Sequence, residues 1–281
     1  MPAAPEILRF SAFAATPDGG NPAGVVLDAS TLDDADMQRI AADVGYSETA
    51  FVTSHDASRY RVRYWSPAAE VPFCGHATVA TAVALAERDG TGEVVFDTQA
   101  GAVALRSTTD AEGTVSVSFT SVEPQVRDLD DEVRDQLLTL LGLTAADLDP
   151  RYPVRESFAG NWHPIVVLAD RELFHQFRFA PADVAALMRE QGWLGTVTVL
   201  HADSDDEYLA RNLFPVGRIT EDPATGSAAA STGAYLRAAG LTVPATIRIR
   251  QGAHVGRPSE LLVSVPLAGG IDVTGGATRL R

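Results

Sequence analysis

A single cysteine, Cys74, stands in the 281-residue chain, so no intrachain disulfide can form and cysteine usage gives no reason for an oxidising compartment. Long apolar runs are also missing. The longest strongly apolar stretch, Ala77 to Ala86, falls far short of the roughly 20 residues that cross a bilayer. Near the start, Arg9 interrupts the short apolar run from Ile7 to Phe13 and no basic segment precedes it, which argues against a signal peptide. Positive charge is scarce, with 22 Lys and Arg against 37 Asp and Glu, and the net charge of −15 gives a field that repels phosphate backbones and anionic lipid. Nucleic acid and membranes are therefore not expected partners, and a cytoplasmic location fits. No G-x-x-x-x-G-K-[ST] loop, no G-x-G-x-x-G after a strand and no H-E-x-x-H helix is present, and Ser227 does not sit in a G-x-S-x-G elbow. Six histidines lie scattered without ligand spacing beside the lone cysteine, so neither a metal nor a cofactor is expected.

What the chain does contain is an ordinary globular composition, 46% hydrophobic and 21% charged, long enough for one large or two intimate domains. Glu6 to Ala14 reads as a strand, and a Pro-Asp-Gly-Gly-Asn-Pro turn joins it to a second apolar run, Ala23 to Leu27. Thr31 to Val44 sets Leu32, Met37, Ile40 and Ala41 on one helical face, with acids at its start and Gly45 at its end. Strands are expected at Tyr46 to Val52, Arg59 to Trp65, Glu93 to Thr98, Gly101 to Ser107 and Thr114 to Thr120, and an amphipathic helix at Asp128 to Leu141. A loop from Ala68 to Cys74 leads into Gly75 to Ala86, which carries no charge on any side. A helix apolar all round must be buried all round, so this one should run through the middle of a sheet or barrel.

Internal repetition is the most informative feature. Arg63-Tyr64-Trp65-Ser66-Pro67 leads to Glu70, then Cys74-Gly75-His76-Ala77 and a small-residue helix ending at Gly90. Arg211-Asn212-Leu213-Phe214-Pro215 leads to Glu221, then Thr225-Gly226-Ser227-Ala228 and a small-residue helix ending at Gly240. One three-residue insertion aligns the two, and Gln99-Ala100-Gly101 then meets Gln251-Gly252. Two copies of one unit imply pseudo-symmetric halves: 1–122, completed by a C-terminal strand at 272–281, and 123–271.

In each copy a glycine opens a buried helix and leaves first-turn N–H groups free, an end that binds carboxylate or phosphate without a cationic side chain. With the halves packed face to face, Gly75-His76 and Gly226-Ser227 would aim their donors into one cleft, which is how an acidic protein could hold a small anionic metabolite. Taken singly, each glycine could instead serve only close helix packing. Glu48 lies in a run of neutral residues, where partial desolvation suits a general acid/base; an edge-strand surface carboxylate is the other reading. Asp222 could accept a hydrogen bond from a substrate amine or hydroxyl, or simply cap its loop. His76, in a helix first turn where the dipole favours neutral imidazole, could bond a substrate or serve structure alone. Glu70 and Glu221 precede helix starts, where capping or dipole complementation is expected. Cys74 at a helix start suits a thiolate, yet its repeat partner is Thr225, and a threonine hydroxyl is far too weak to be half of a two-base pair.

Gly20-Asn21-Pro22-Ala23-Gly24-Val25-Val26, Ser47-Glu48-Thr49-Ala50-Phe51-Val52, Cys74-Gly75-His76-Ala77-Thr78, Glu221-Asp222-Pro223-Ala224-Thr225-Gly226-Ser227-Ala228, and Gln251-Gly252 with Gly256-Arg257-Pro258 resemble, in order, the PhzF family of phenazine-biosynthesis-like isomerases. The resemblance implies an α+β fold related to diaminopimelate epimerase and proline racemase, in two similar halves, each a curved, mostly antiparallel sheet or barrel around a central helix. It implies a cofactor-independent isomerase in which Glu48 moves a proton within one face of the substrate, a dihydro-hydroxyanthranilate in phenazine pathways. The substrate carboxylate would meet the helix-end donors at Gly75, His76, Gly226 and Ser227, and its amine or hydroxyl would meet Asp222 or His76. A homodimer is implied as well. Two other readings stay open: a proline-type racemase or dehydratase using Cys74 with Thr225, and a non-catalytic small-molecule binding protein.

Overall fold

The computed structural model describes residues 5–217 and 219–280. The expected halves also took in residues 1–4 and Arg281, which lie outside the described residues. The described residues up to Thr120, with those from Thr274 onward, make one compact unit, and Ser121–Val273 make the other.

In chain order the first unit is built from β1 (Leu8–Ala12), β2 (Asn21–Val26), α1 (Asp34–Val44), β3 (Glu48–Asp56), β4 (Arg59–Trp65), β5 (Glu70–Val71), α2 (Gly75–Asp89), β6 (Glu93–Thr98), β7 (Gly101–Thr109) and β8 (Val115–Thr120). The second contains β9 (Gln125–Asp128), α3 (Asp131–Leu140), β10 (Arg155–Phe158), β11 (Trp162–Val167), α4 (Arg171–Gln176), α5 (Pro181–Gln191), β12 (Val197–Ala202), β13 (Glu207–Leu213), β14 (Glu221–Asp222), α6 (Gly226–Ala238), β15 (Ala245–Gln251) and β16 (Ser259–Val265). The last strand is β17 (Asp272–Arg279).

The strands of the first unit close on themselves. β1–β2 is antiparallel, β2–β3 parallel, β3–β4 antiparallel, β4–β6 parallel, and β6–β7–β8 antiparallel. β17 pairs with both β8 and β1 and completes the ring. Closure leaves no open edge for another chain to extend. The order repeats in the second unit, where β10–β11 is antiparallel, β11–β12 parallel, β12–β13 antiparallel, β13–β15 parallel and β15–β16 antiparallel. The duplication read from the sequence is thus a duplication of strand pairing.

Each unit wraps a helix. Every residue of α2 from His76 to Ala86 is buried, and the helix packs against β1, β2, β3, β7 and β8. Alanine, valine and threonine let strands approach from all sides, and the hydroxyls of Thr78 and Thr81 donate to the carbonyls of Cys74 and Ala77 at 2.8 and 2.7 Å, so no polar atom there is stranded. Burying Val79, Val83 and Leu85 contributes roughly 1.5–3 kcal/mol each. α6 is the counterpart, buried from Ala228 to Leu236 and packed against β9, β10, β11 and β16. The second unit adds a helical layer in which Leu137, Leu141, Val184, Leu187, Met188 and Trp193 share one cluster.

Element ends follow local chemistry. α1 begins at Asp34 rather than Thr31 because the Asp33 carboxylate caps it, accepting from the Asp36 N–H at 2.8 Å. In the same way the Asp130 cap delays α3 to Asp131, and the residues before it form β9, a strand absent from the sequence expectation. The expected loop before α2 holds the short β5, paired with β4. Among the described residues, no helix is long and apolar enough to cross a membrane.

Candidate active site

In the first unit, Glu48 opens β3, Cys74 is the N-cap residue of α2, and Gly75 and His76 are that helix's first two residues. The Glu48 Oε2 atom lies 3.3 Å from His76 Nε2 and 3.5 Å from Cys74 Sγ, and the sulfur lies 3.4 Å from His76 Nδ1. The Asn21 side-chain amide reaches His76 Nδ1 at 3.1 Å, and Ser47 Oγ lies 3.3 Å from Nε2. A carboxylate only accepts, and the amide N–H₂ only donates. The imidazole therefore keeps its lone pair on Nδ1 for Asn21 and its proton on Nε2 for Glu48. His76 is buried, with a side chain 7% exposed, whereas that of Glu48 keeps 17%. The carboxylate is thus gripped on one oxygen but not sealed off.

The donor atoms of Glu48, Cys74 and His76 lie within 4.8 Å of one another, a grouping that could in principle hold a metal ion. Sequence spacing gave no sign of it, because Glu48 comes from β3, 26 positions away from the Cys74 and His76 of the α2 start. Asn21 and Glu48 engage both nitrogens of the ring, however, so the trio is wired as a hydrogen-bond network in which a proton has several places to go.

In the second unit, Asp222 ends β14 and is buried; its Oδ2 accepts the Thr225 hydroxyl at 2.5 Å. Gln251 ties this loop together: its amide donates to the Asp222 carbonyl at 2.6 Å and to Thr225 Oγ1 at 3.0 Å. Next to it, Gly252 has φ +80°, and a Cβ there would meet the Arg257 and Pro223 carbonyls at 2.3 and 2.5 Å, so only glycine fits. Gly226 and Ser227 open α6, with Gly226 buried and Ser227 partly exposed. Ser227 Oγ lies 3.1 Å from Nε2 of His163, a fully buried side chain on β11. Burial pushes the His163 imidazole down to about 4, although a backbone hydrogen bond with Thr196 works the other way.

Neither α2 nor α6 receives a hydrogen bond from its N-cap side chain, whereas α1, α3 and α4 are each capped by an aspartate. The two buried helices thus forgo the usual cap where anion donors are expected. Glu70 and Glu221 correct the expectation of capping. Glu70 forms a two-pronged pair with Arg63 at 2.6 and 2.7 Å, and Glu221 pairs with Arg211 at 2.6 Å, so each acid serves the arginine of its own repeat. Both oxygens of each acid thus face its arginine fork rather than a helix end.

Strand register shows what stands opposite Glu48 in the repeat. Trp65 pairs with Thr49 and Leu213 with Val197. Aligning Arg63 with Arg211 makes Trp65 equivalent to Leu213, and one step back along the partner strand makes Glu48 equivalent to Thr196. Asn21 and Ser47 lay within the motifs of the resemblance without being singled out for the site, and His163 has no signal in local sequence beyond being a polar residue in an apolar strand.

The family described as phenazine biosynthesis-like protein, PhzC-PhzF, matches residues 10–280. An uncharacterized isomerase of Bacillus subtilis is 30% identical, covering 97% of this chain and 95% of that protein. A trans-2,3-dihydro-3-hydroxyanthranilate isomerase of Pseudomonas chlororaphis is also 30% identical, covering 89% and 86%. Among solved structures, that of a predicted epimerase from Pseudomonas aeruginosa superposes with a TM-score of 0.86 at 27% identity, covering 99% of this chain and 98% of that one. The architecture is accordingly the α+β, diaminopimelate epimerase-like fold.

Proposed function

The chain belongs to the PhzC-PhzF family of phenazine biosynthesis-like proteins and is an isomerase, and from that premise we propose that Glu48 shifts a proton within a small carboxylate-bearing metabolite, without a cofactor. The Glu48 carboxylate takes a proton from one carbon, becomes the neutral acid while the substrate holds the electron pair in a conjugated system, and returns the proton to another carbon. His76, donating from Nε2, holds Oε2 and leaves the other carboxylate oxygen for the substrate proton. The observation that carries this reading is the Glu48, Cys74 and His76 network, partly open at Glu48, with Thr196 at the corresponding place in the second unit.

The substrate class follows from the relatives named trans-2,3-dihydro-3-hydroxyanthranilate isomerases, at 30% and 29% identity: a cyclic amino or hydroxy acid. The uncapped starts of α2, at Gly75 and His76, and of α6, at Gly226 and Ser227, offer N–H donors suited to a carboxylate. Asp222 holds the Thr225 hydroxyl and so sets the loop that leads into α6. A racemase pairing Cys74 with Thr225 is disfavoured because that hydroxyl already donates its proton to a buried carboxylate. We further propose a reducing cytoplasm, which the single cysteine supports, and a homodimer, which the family resemblance supports; a light-scattering mass of one chain would remove the dimer. For the reaction itself, the wild-type protein should incorporate deuterium from heavy water into trans-2,3-dihydro-3-hydroxyanthranilate. Exchange undiminished in Glu48→Gln would end the assignment.

A further inference from the structure

Three side-chain atoms of the first unit form a triangle: Cys74 Sγ to Glu48 Oε2 is 3.5 Å, Oε2 to His76 Nε2 is 3.3 Å, and Nε2 to Sγ is 3.7 Å. Tetrahedral zinc, with bonds of about 2.3 Å to sulfur and about 2.0–2.1 Å to nitrogen and oxygen, sets such ligands roughly 3.3–3.6 Å apart. We propose that Glu48, Cys74 and His76 are also a site for a thiophilic divalent cation, with Zn²⁺ the best match, and that the bound cation keeps Glu48 from the substrate and stops the proton shift. The inhibition rests on the reading of Glu48 as the base; the site itself does not.

Charge favours replacing protons with metal. Binding releases the thiol proton to water, and thiolate and carboxylate together then match the two charges of the cation. The positive end of α2 is worth roughly half a charge, too little to offset two anionic ligands. The imidazole proton passes from Nε2, which becomes the ligand, to Nδ1. Asn21 stands 3.1 Å from Nδ1, and its carboxamide, turned over, accepts that proton with its oxygen, the outer support that a metal-bound histidine ordinarily has. Closure asks for one rotation. The sulfur is 3.4 Å from Nδ1 and 3.7 Å from Nε2, so it stands beside the ring, and a turn about the Cys74 Cα–Cβ bond swings it in front of Nε2. Cys74 and His76 are buried, while Glu48 keeps the place partly open, which leaves a fourth position to water. A thiolate ligand selects Zn²⁺ over Mg²⁺ and Ca²⁺, which prefer oxygen alone.

Because Cys74 is the only cysteine in the chain, thiolate-to-cobalt absorption in the near ultraviolet can arise nowhere else. Co²⁺ added to the wild-type protein should produce that band at one equivalent, and Zn²⁺ should remove it by displacement. Glu48→Gln and His76→Gln should each weaken cobalt binding at least about tenfold. No band in the wild type, or undiminished affinity in both variants, would overturn the site. Deuterium incorporation into trans-2,3-dihydro-3-hydroxyanthranilate is then followed as Zn²⁺ fills the site. It should fall about 10²-fold or more, return when a chelator is added, and be unaffected by Mg²⁺. Zinc should act at least about tenfold less well on the exchange that Cys74→Ser retains. Full exchange by the zinc-saturated protein would overturn the inhibition where Glu48→Gln is inactive. If Glu48→Gln also exchanges fully, the reading of Glu48 as the base fails, and the cobalt band alone decides the site.

Discussion

At the start of its central helix the first unit carries Cys74, Gly75 and His76 beside Glu48; at the matching places the second carries Thr225, Gly226 and Ser227, with Thr196 where the glutamate would be. Strand order, the arginine–glutamate pair and the glycine-led helix are all duplicated. The titratable groups are not. Three groups able to hold or move a proton in one unit, Glu48, Cys74 and His76, are replaced in the other by the hydroxyls of Thr196, Thr225 and Ser227. A reaction that removes a proton with one base and returns it with an opposed one would need chemistry in both copies. On the proposed reading, the frame is kept twice for its backbone donors, while proton transfer is confined to one unit.

This contrast can be strained at several points. Arg211 and Glu221 have side chains only 5% and 7% exposed, against 22% and 18% for Arg63 and Glu70. Arg211→Met should cost about 3–5 kcal/mol in urea unfolding, because it strands a buried carboxylate. Arg63→Met should cost only about 1 kcal/mol, since water reaches Glu70. Equal losses would show that the two pairs are alike in energy as well as in sequence. A smaller effect is expected within the helices. A Cβ at Gly233 of α6 would stand 2.9 Å from methyl groups of Ile271 and Val263, so Gly233→Ala should lose about 1–3 kcal/mol by overpacking, despite alanine's better helix propensity. At the matching position of α2, Ala82→Gly should lose about 1 kcal/mol for the opposite reason, propensity. A stabilised Gly233→Ala would refute the packing account of α6.

A gentler test uses pH. The unfolded chain protonates His163 near 6.5, whereas the folded chain resists until about 4, so the unfolded state binds the extra proton between those values. Stability should therefore fall as pH drops from 6.5 toward 4, and His163→Gln should flatten that part of the profile. An unchanged profile in the variant would show that the second unit's histidine is not the neutral, buried group described.

Much of the frame was legible because its signals are local. β4 runs from Arg59 to Trp65 as alternation predicts, since Tyr60, Val62 and Tyr64 point inward between exposed Arg59 and Arg61. The uncharged α2 is buried on all sides, as its composition requires. Glu48 stood out as a carboxylate in a run of neutral residues and His76 by its place in a helix first turn, and the fold brings them to 3.3 Å. What sequence could not supply were partners far along the chain. Asn21 reaches His76 across 55 positions and His163 reaches Ser227 across 64, and neither distance leaves a trace in local pattern. Glu70 and Glu221 were misjudged for the opposite reason: proximity to a helix start suggested capping, while strand pairing set each beside its repeat arginine.

The most direct test sets the two units against each other in one assay. Deuterium incorporation into trans-2,3-dihydro-3-hydroxyanthranilate is followed in heavy water for the wild type, Glu48→Gln and Thr196→Val. Confinement of proton transfer to the first unit predicts a fall of about 10²–10⁴-fold for Glu48→Gln and less than about tenfold for Thr196→Val, with both proteins folded. Comparable falls in the two variants, or full exchange without the glutamate, would contradict it.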